Sequence, residues 1–270
     1  MQKTITLNSI RQFTQEAEKI ARNSGMLMTK YQGYSGPRVD RHTSLDKYIS
    51  SRIESRTSQY LKKRYPEHGL FGASKNRDYD FEWICDYIDG AYSYGQGYKI
   101  SVTSVALTYK SKTIAAAVYN PWTDEMYVSG LGLGVYINGK KLKTLSSSKY
   151  QGKLVDVEWW PHASYDLDTW LHDFSIKKDV YVLHIGSIIH AACLVASGQF
   201  VAAVLGKFMQ GKNHEIAAIK LIIEESGCKL TDLHGNKITH IGDIEGLVFA
   251  NKSIHETLIQ SYKEYVAENK

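Results

Sequence analysis

Cysteine is scarce, with three in 270 residues. Cys85, Cys193 and Cys228 are odd in number and show no C-x-x-C spacing, which argues against a disulfide framework and against a thiolate zinc site. Each is expected as a small buried apolar residue. No apolar run approaches the twenty residues needed to cross a bilayer, so a membrane span is not expected. Charge is not concentrated either. The net charge of +5 is mild and the Lys and Arg residues are scattered, which gives no footprint for nucleic acid. No internal repeat or low-complexity tract is present.

The apolar content, 43% over 270 residues, is enough for one large α/β domain or two closely packed halves. Ile10, Phe13, Ala17, Ile20 and Ala21 recur at helical spacing with charges between them, unlike the continuous apolar core of a signal peptide. A cytoplasmic location is expected. After the polar segment GYSGPRVDRHTS, Leu45, Ile49, Ile53 and Leu61 restore helical periodicity. From about Trp83 to Ile137 the pattern turns to β-branched, alternating runs that read as an antiparallel meander.

The second half alternates between strand-like runs (LVDVEWW, YVLHIGS, QFVAAVL, CKLTD, LVFAN) and helical ones (IIHAACLVASG, EIAAIKLIIEESG, and a last amphipathic stretch). Gly198 and Gly227 each follow an apolar helical run and are expected as C-terminal caps with positive φ. The polar stretch TLSSSKYQGK suggests a boundary near residue 150, giving an N-terminal α+β half (1–150) and a C-terminal α/β half (151–270). Either half alone would leave apolar faces uncovered, so one compact unit is expected.

Chemistry concentrates in WICDYIDGAYSYGQG, where Asp86 and Asp89 end an apolar run just before a Gly-rich turn. Asp-x-Ile-Asp-Gly resembles the D-P-[IL]-D-G-T signature of the inositol monophosphatase family. Further segments resemble that family in the same order: HTSLDK its V-T-x-x-D motif; YPEHGLFG the approach to its G-E-E motif; and NPWTDEMYVSGLGLGVYINGKKL its N-P-x-x-x-E stretch. HIGSIIHAACLVASGQF is similar to its G-S-A-A helix and HEIAAIKLIIEESGCKLTD to its W-D-x-A-A helix.

The resemblance implies a layered αβαβα sandwich, usually a homodimer, hydrolysing a small phosphorylated metabolite with Mg²⁺ and sensitive to lithium. It carries metal-ligand roles to Asp86, the Ile88 carbonyl, Asp89 and Glu215, and a catalytic role to Asp46. Gly90, Ala91, Gly186 and Ser187 fall at its substrate-binding positions. Hard Mg²⁺ favours such oxygen donors.

The departures gather at the site. Gly72-Ala73-Ser74 stands where the family has Gly-Glu-Glu, so one ligating carboxylate is absent. Ala91 stands where a Thr hydroxyl would pair with Asp46, and His214-Glu215 replaces Trp-Asp. Tyr87 replaces Pro, and GKFMQGKN has no clear counterpart of the family's sugar-binding acid. Ser74, Asp78, Asp80 and Ser93 are near enough in sequence to offer substitutes. His214 reads as a cap and surface residue, Ser187 as a helix N-cap with Gly186 before it, and Tyr92, Tyr94 and Tyr98 as strand aromatics or a pocket lining. Trp159 and Trp160 fit either the core or a dimer contact. The reading is therefore a divergent Mg²⁺-dependent phosphatase acting on a sugar or inositol phosphate. The alternatives are a catalytically impaired homologue that binds a phosphorylated ligand or a protein partner, and a pocket converted to another reaction.

Overall fold

The computed structural model describes residues 5–32, 45–71, 79–143, 149–159, 167–206, 216–238 and 246–269. Two long helices come first, α1 (Leu7–Tyr31) and α2 (Leu45–Arg64). The first sheet contains β1 (Gly69–Leu70), β2 (Phe81–Asp89), β3 (Val102–Tyr109), β4 (Lys112–Asn120), β5 (Glu125–Gly130), β6 (Gly134–Ile137) and β7 (Lys140–Lys141) in sequence order. Its pairs from β2 to β7 are antiparallel, as the alternating pattern implied, and only β1 pairs parallel. One helical turn, α3 (Ala91–Gly95), joins β2 to β3.

The second sheet has the order β11-β12-β10-β8-β9, formed by β8 (Leu154–Glu158), β9 (Tyr181–Leu183), β10 (Phe200–Leu205), β11 (Lys229–Thr231) and β12 (Leu247–Ala250). Its connections are helical: α4 (Leu167–Lys178), α5 (Ile188–Ser197) and α6 (Ile216–Ser226), with α7 (Lys252–Glu268) closing the chain.

Three stacked cores make five layers. On one face of the first sheet, Ala17, Ile20 and Ala21 of α1 pack on Val105, Leu107, Ala115 and Ala117. Strand side chains alternate, so Ala106, Ala116 and Val118 point the other way, onto α5 and α6. Those two helices are apolar nearly all round because a sheet covers each side: Ala203, Leu205 and Phe249 meet them from the second sheet. The outer face of that sheet, with Val155, Val204 and Val248, is closed by Trp170 and Phe174 of α4 and Leu258 of α7. This is the αβαβα order that the family resemblance implies.

Local signals hold as well. Gly198 and Gly227 have φ of 82° and 86°. Ile10, Ala17, Ile20, Ala21, Ile49, Ile53 and Leu61 are buried. Cys193 and Cys228 are buried and Cys85 is half-buried; burial pushes all three thiols up, that of Cys85 to about 12, which leaves them protonated and unreactive. No helix among the described residues is long and apolar enough to cross a membrane.

Candidate active site

β2 delivers the central motif with a bulge. Asp86 pairs with Ser104 and Asp89 with Val102, so β2 carries one residue more than β3 over this step. A bulge re-aims the side chains that follow it. Inside it, the Ile88 N–H donates to Asp86 Oδ1 at 3.2 Å, and the Thr103 hydroxyl donates to the Asp86 carbonyl at 3.1 Å. The Ile88 side chain is buried with Met28, Ile49, Ile53 and Tyr94, which anchors the turn from below.

Asp89 points across to the second half of the chain. Its Oδ2 accepts the Ile189 N–H at 2.9 Å and the Ser187 hydroxyl in a short contact. Ser187 is the N-cap of α5, its Oγ accepting the His190 N–H at 3.3 Å. A carboxylate here satisfies free amides and faces the positive end of the helix dipole.

The Gly90 turn comes equally close. Gly90 has φ +74°, and a Cβ built on it would stand 2.9 Å from the Gly186 carbonyl oxygen. Both the dihedral and the approach demand glycine. Gly90→Ala is expected to cost about 1–2 kcal/mol from the left-handed backbone alone, and to force the turn away from Gly186. Urea denaturation would show it as a lower midpoint with an unchanged slope.

Asp89, Gly90, Gly186 and Ser187 are thus gathered at one crevice between the end of β2 and the start of α5, with Asp86 three residues back along β2. Ser93 belongs to it too, since its Oγ lies 3.3 Å from where a Gly186 Cβ would be. Ala91 opens α3 and is half-buried. Asp46, on the first turn of α2, lies against the far end of α3, where a Cβ on Gly95 would be 3.3 Å from its Oδ1. Burial, with the nearby Asp46 charge, pushes the Tyr94 hydroxyl up to about 12.

Some sequence expectations need correction. Asp80 cannot substitute for a missing ligand, because it precedes β2 and sits a strand's length, about 30 Å, from Asp89. Tyr94 lines no pocket: it is fully buried and donates to the Met28 carbonyl at 2.9 Å, while Tyr92 and Tyr98 face solvent. Trp159 is exposed and stacks on His184. Glu215, His214, Gly72, Ala73, Ser74, Asp78 and Trp160 lie outside the described residues.

Sequence reasoning passed over two acids. Asp156 and Glu158 sit two apart on β8, hence on one face, and both are buried. The Asp156 Oδ1 accepts the Ile185 N–H at 3.1 Å. Glu158 Oε1 accepts the Gly186 N–H at 2.5 Å and the Ser187 N–H at 3.0 Å, and its Oε2 meets His184 Nε2 at 3.0 Å. That contact raises the His184 imidazole above its ordinary value, against the opposing effect of burial. Two acids at alternate positions of an otherwise β-branched run were the available signal.

The model of the inositol monophosphatase family matches residues 9–267. The chain belongs to the inositol monophosphatase family. A relative from Aquifex aeolicus, a fructose-1,6-bisphosphatase/inositol-1-monophosphatase, is 26% identical over 231 residues, covering 81% of this chain and 82% of its own. Among solved structures, the Thermotoga maritima IMPase TM1415 superimposes with a TM-score of 0.80 at 20% identity, covering 94% of this chain and 98% of its own. An IMPase/NADP phosphatase complexed with Mg²⁺ and phosphate gives 0.76 at 22% identity, covering 94% and 95%. At those identities the structures speak for the fold of this family member, and the chemistry must be argued from its own residues.

For a hard divalent ion the donor chemistry fits: Asp86, Asp89 and the Ile88 carbonyl are all oxygen donors. Among the described residues, however, no group of three or more His, Cys, Asp or Glu side chains converges as a cation site.

Proposed function

We propose that this family member hydrolyses a small sugar or inositol phosphate monoester with Mg²⁺, as a divergent phosphatase. The observation that carries the reading is the meeting of the Asp86–Gly90 turn with Gly186 and Ser187 at the start of α5. Asp86, Asp89 and the Ile88 carbonyl would hold the ion, with Glu215 as a further carboxylate. When bound, Mg²⁺ would polarise the ester and lower the pKa of a coordinated water. The Gly90 turn would offer backbone N–H groups to phosphate. Asp46, beside α3, would orient water without the hydroxyl partner that Ala91 has removed. A homodimer belongs to the same reading.

The test is phosphate release from a broad phosphomonoester panel with Mg²⁺, in wild type and Asp89→Asn. Asparagine keeps an oxygen for the Ser187 and Ile189 donors, so the fold should persist while cation binding fails. Release falling at least a hundredfold in the variant is expected; no release by wild type on any substrate would sink the proposal.

A second reading, a homologue that binds a phosphorylated ligand or a protein partner without turnover, is favoured by Ala73 and Ala91 standing together in place of Glu and Thr. Calorimetric titration of Mg²⁺ with phosphate present separates the two. Binding lost in Asp89→Asn supports the phosphatase, and phosphate binding that ignores both Mg²⁺ and the substitution supports the second reading.

A further inference from the structure

The turn that carries Gly186 and Ser187 is held from beneath by the two acids of β8, and their hydrogen bonding does not balance unless one of them carries a proton. Three consecutive backbone N–H groups, of Ile185, Gly186 and Ser187, are shared between these carboxyls. Glu158 receives two of them and meets His184 besides, so it has the fuller set of partners. Asp156 receives only one. Its Oδ2 is closed off from solvent, meets no donor, and belongs to a residue with 0% exposure. An ionised carboxylate oxygen in that position has neither water nor a donor to offset its desolvation. The charges facing it make ionisation harder still: Glu158 on its own strand and Asp89 arriving from β2 are both acidic. The His184 imidazole is engaged by Glu158 and also feels Asp168 of α4.

We infer that Asp156 is an un-ionised carboxylic acid whose Oδ2–H donates to the Glu158 carboxylate, and that this proton-sharing pair is the positioning element for the Ile185–Ser187 turn. The proton is taken up from solvent on folding and forms the Asp156 O–H bond, and no bond between heavy atoms changes. Burial first, and Glu158 second, hold the Asp156 carboxyl well above the usual carboxylate range, in keeping with the hydrogen-bond pattern. The pair matters to the crevice because the turn it fixes supplies the Ser187 hydroxyl to Asp89 and the close approach to Gly90. Position is therefore passed from β8 of the second sheet to Asp89 of the first.

The test is infrared spectroscopy of the full chain at neutral pH, wild type against Asp156→Asn, with isotope-labelled aspartate to assign the signal. Wild type should show the carbonyl band of an un-ionised aspartic acid and the variant should lack it. A wild type without that band, or a band that survives the substitution, overturns the inference. Asn keeps both an acceptor for Ile185 and an N–H donor for Glu158, so the Gly186 and Ser187 amide resonances should stay in place. Asp156→Leu keeps neither and should displace them. Leu tolerated with unmoved resonances would reduce Asp156 to packing and overturn the positioning role. Phosphate affinity in Mg²⁺, the one arm that rests on the proposed function, should change less than twofold in Asp156→Asn and weaken about tenfold in Asp156→Leu. The spectroscopic arms read the proton without any ligand, so a failed phosphatase reading and a failed pair are told apart.

Discussion

Ala73→Glu combined with Ala91→Thr is expected to raise Mg²⁺-dependent phosphate release by about 10²–10⁴-fold, the range a restored proton relay can supply. The argument for position 91 is geometric. Ala91 and Gly95 are four residues apart on α3 and share a face. That face is turned to Asp46, since a Cβ on Gly95 would stand 3.3 Å from its Oδ1. A Thr at 91 would put a hydroxyl on the side of the helix where the only missing component of an Asp–Thr pair belongs. The argument for position 73 rests on the aligned motif alone, where Glu would return the absent ligand. Each single substitution should give much less than the pair, because metal and water orientation act as a unit. Steady-state assays on the four proteins read this directly. A double variant no faster than wild type would show that the site departs from its family in more than these two residues.

Acid should unfold this protein earlier than its carboxylates alone require. His255 on α7 is 4% exposed, its Nε2 lies 2.9 Å from the Thr231 hydroxyl oxygen, and its Nδ1 is buried without a partner. The Thr231 hydroxyl donates to the Asp232 carbonyl, so its oxygen is left to accept from Nε2–H. Burial, and then the Lys229 charge, lower the imidazole to about 4 from 6.5. The unfolded chain therefore binds a proton more readily than the folded one. Stability from this group is complete above about pH 6.5, declines as pH falls, and is gone near pH 4. The full span is worth at most about 3 kcal/mol at 1.36 kcal/mol per pKa unit. His190, half-buried on the first turn of α5 against Asn120, is shifted the same way by burial and steepens the same limb. Urea unfolding at pH 7 and pH 4.5 should show the loss, and His255→Gln should flatten it. An equally steep acid limb in that variant would remove His255 from the explanation.

Much of this architecture was legible because its signals are local. The α1 stripe, the alternating runs of β2 to β6 and the glycines that end α5 and α6 each follow from spacing and backbone conformation within a few residues. α4 escaped, although Leu167, Trp170, Leu171 and Phe174 fall at helical spacing: four apolar residues in a polar stretch make a narrow stripe, and strand-like runs on either side drew the reading. β1 and β7, two residues each, are too short for any period. The DGAYSYGQG segment read as a Gly-rich turn with a helix or turn start left open at Gly90 and Ala91; the left-handed Gly90 starts a helical turn that brings position 95 to Asp46. At the site, Asp86 and Asp89 were visible through their motif. Asp156 and Glu158 were not, because their significance lies in the pairing of β8 with β9 and β10, which carries them under a helix whose start lies some thirty residues further along the chain.

The start of α5 is tied to both sheets at once. Asp89 of β2 holds the Ile189 amide, and Glu158 of β8 holds those of Gly186 and Ser187, while eight of the ten helix residues are buried between the sheets. Fraying from one end, the usual way a helix admits solvent, is closed to α5. Its first amides can trade their hydrogens with water only when the two sheets part company, so the lifetime of a proton on Ile189 is a clock for the opening of the whole sandwich rather than for motion at the crevice.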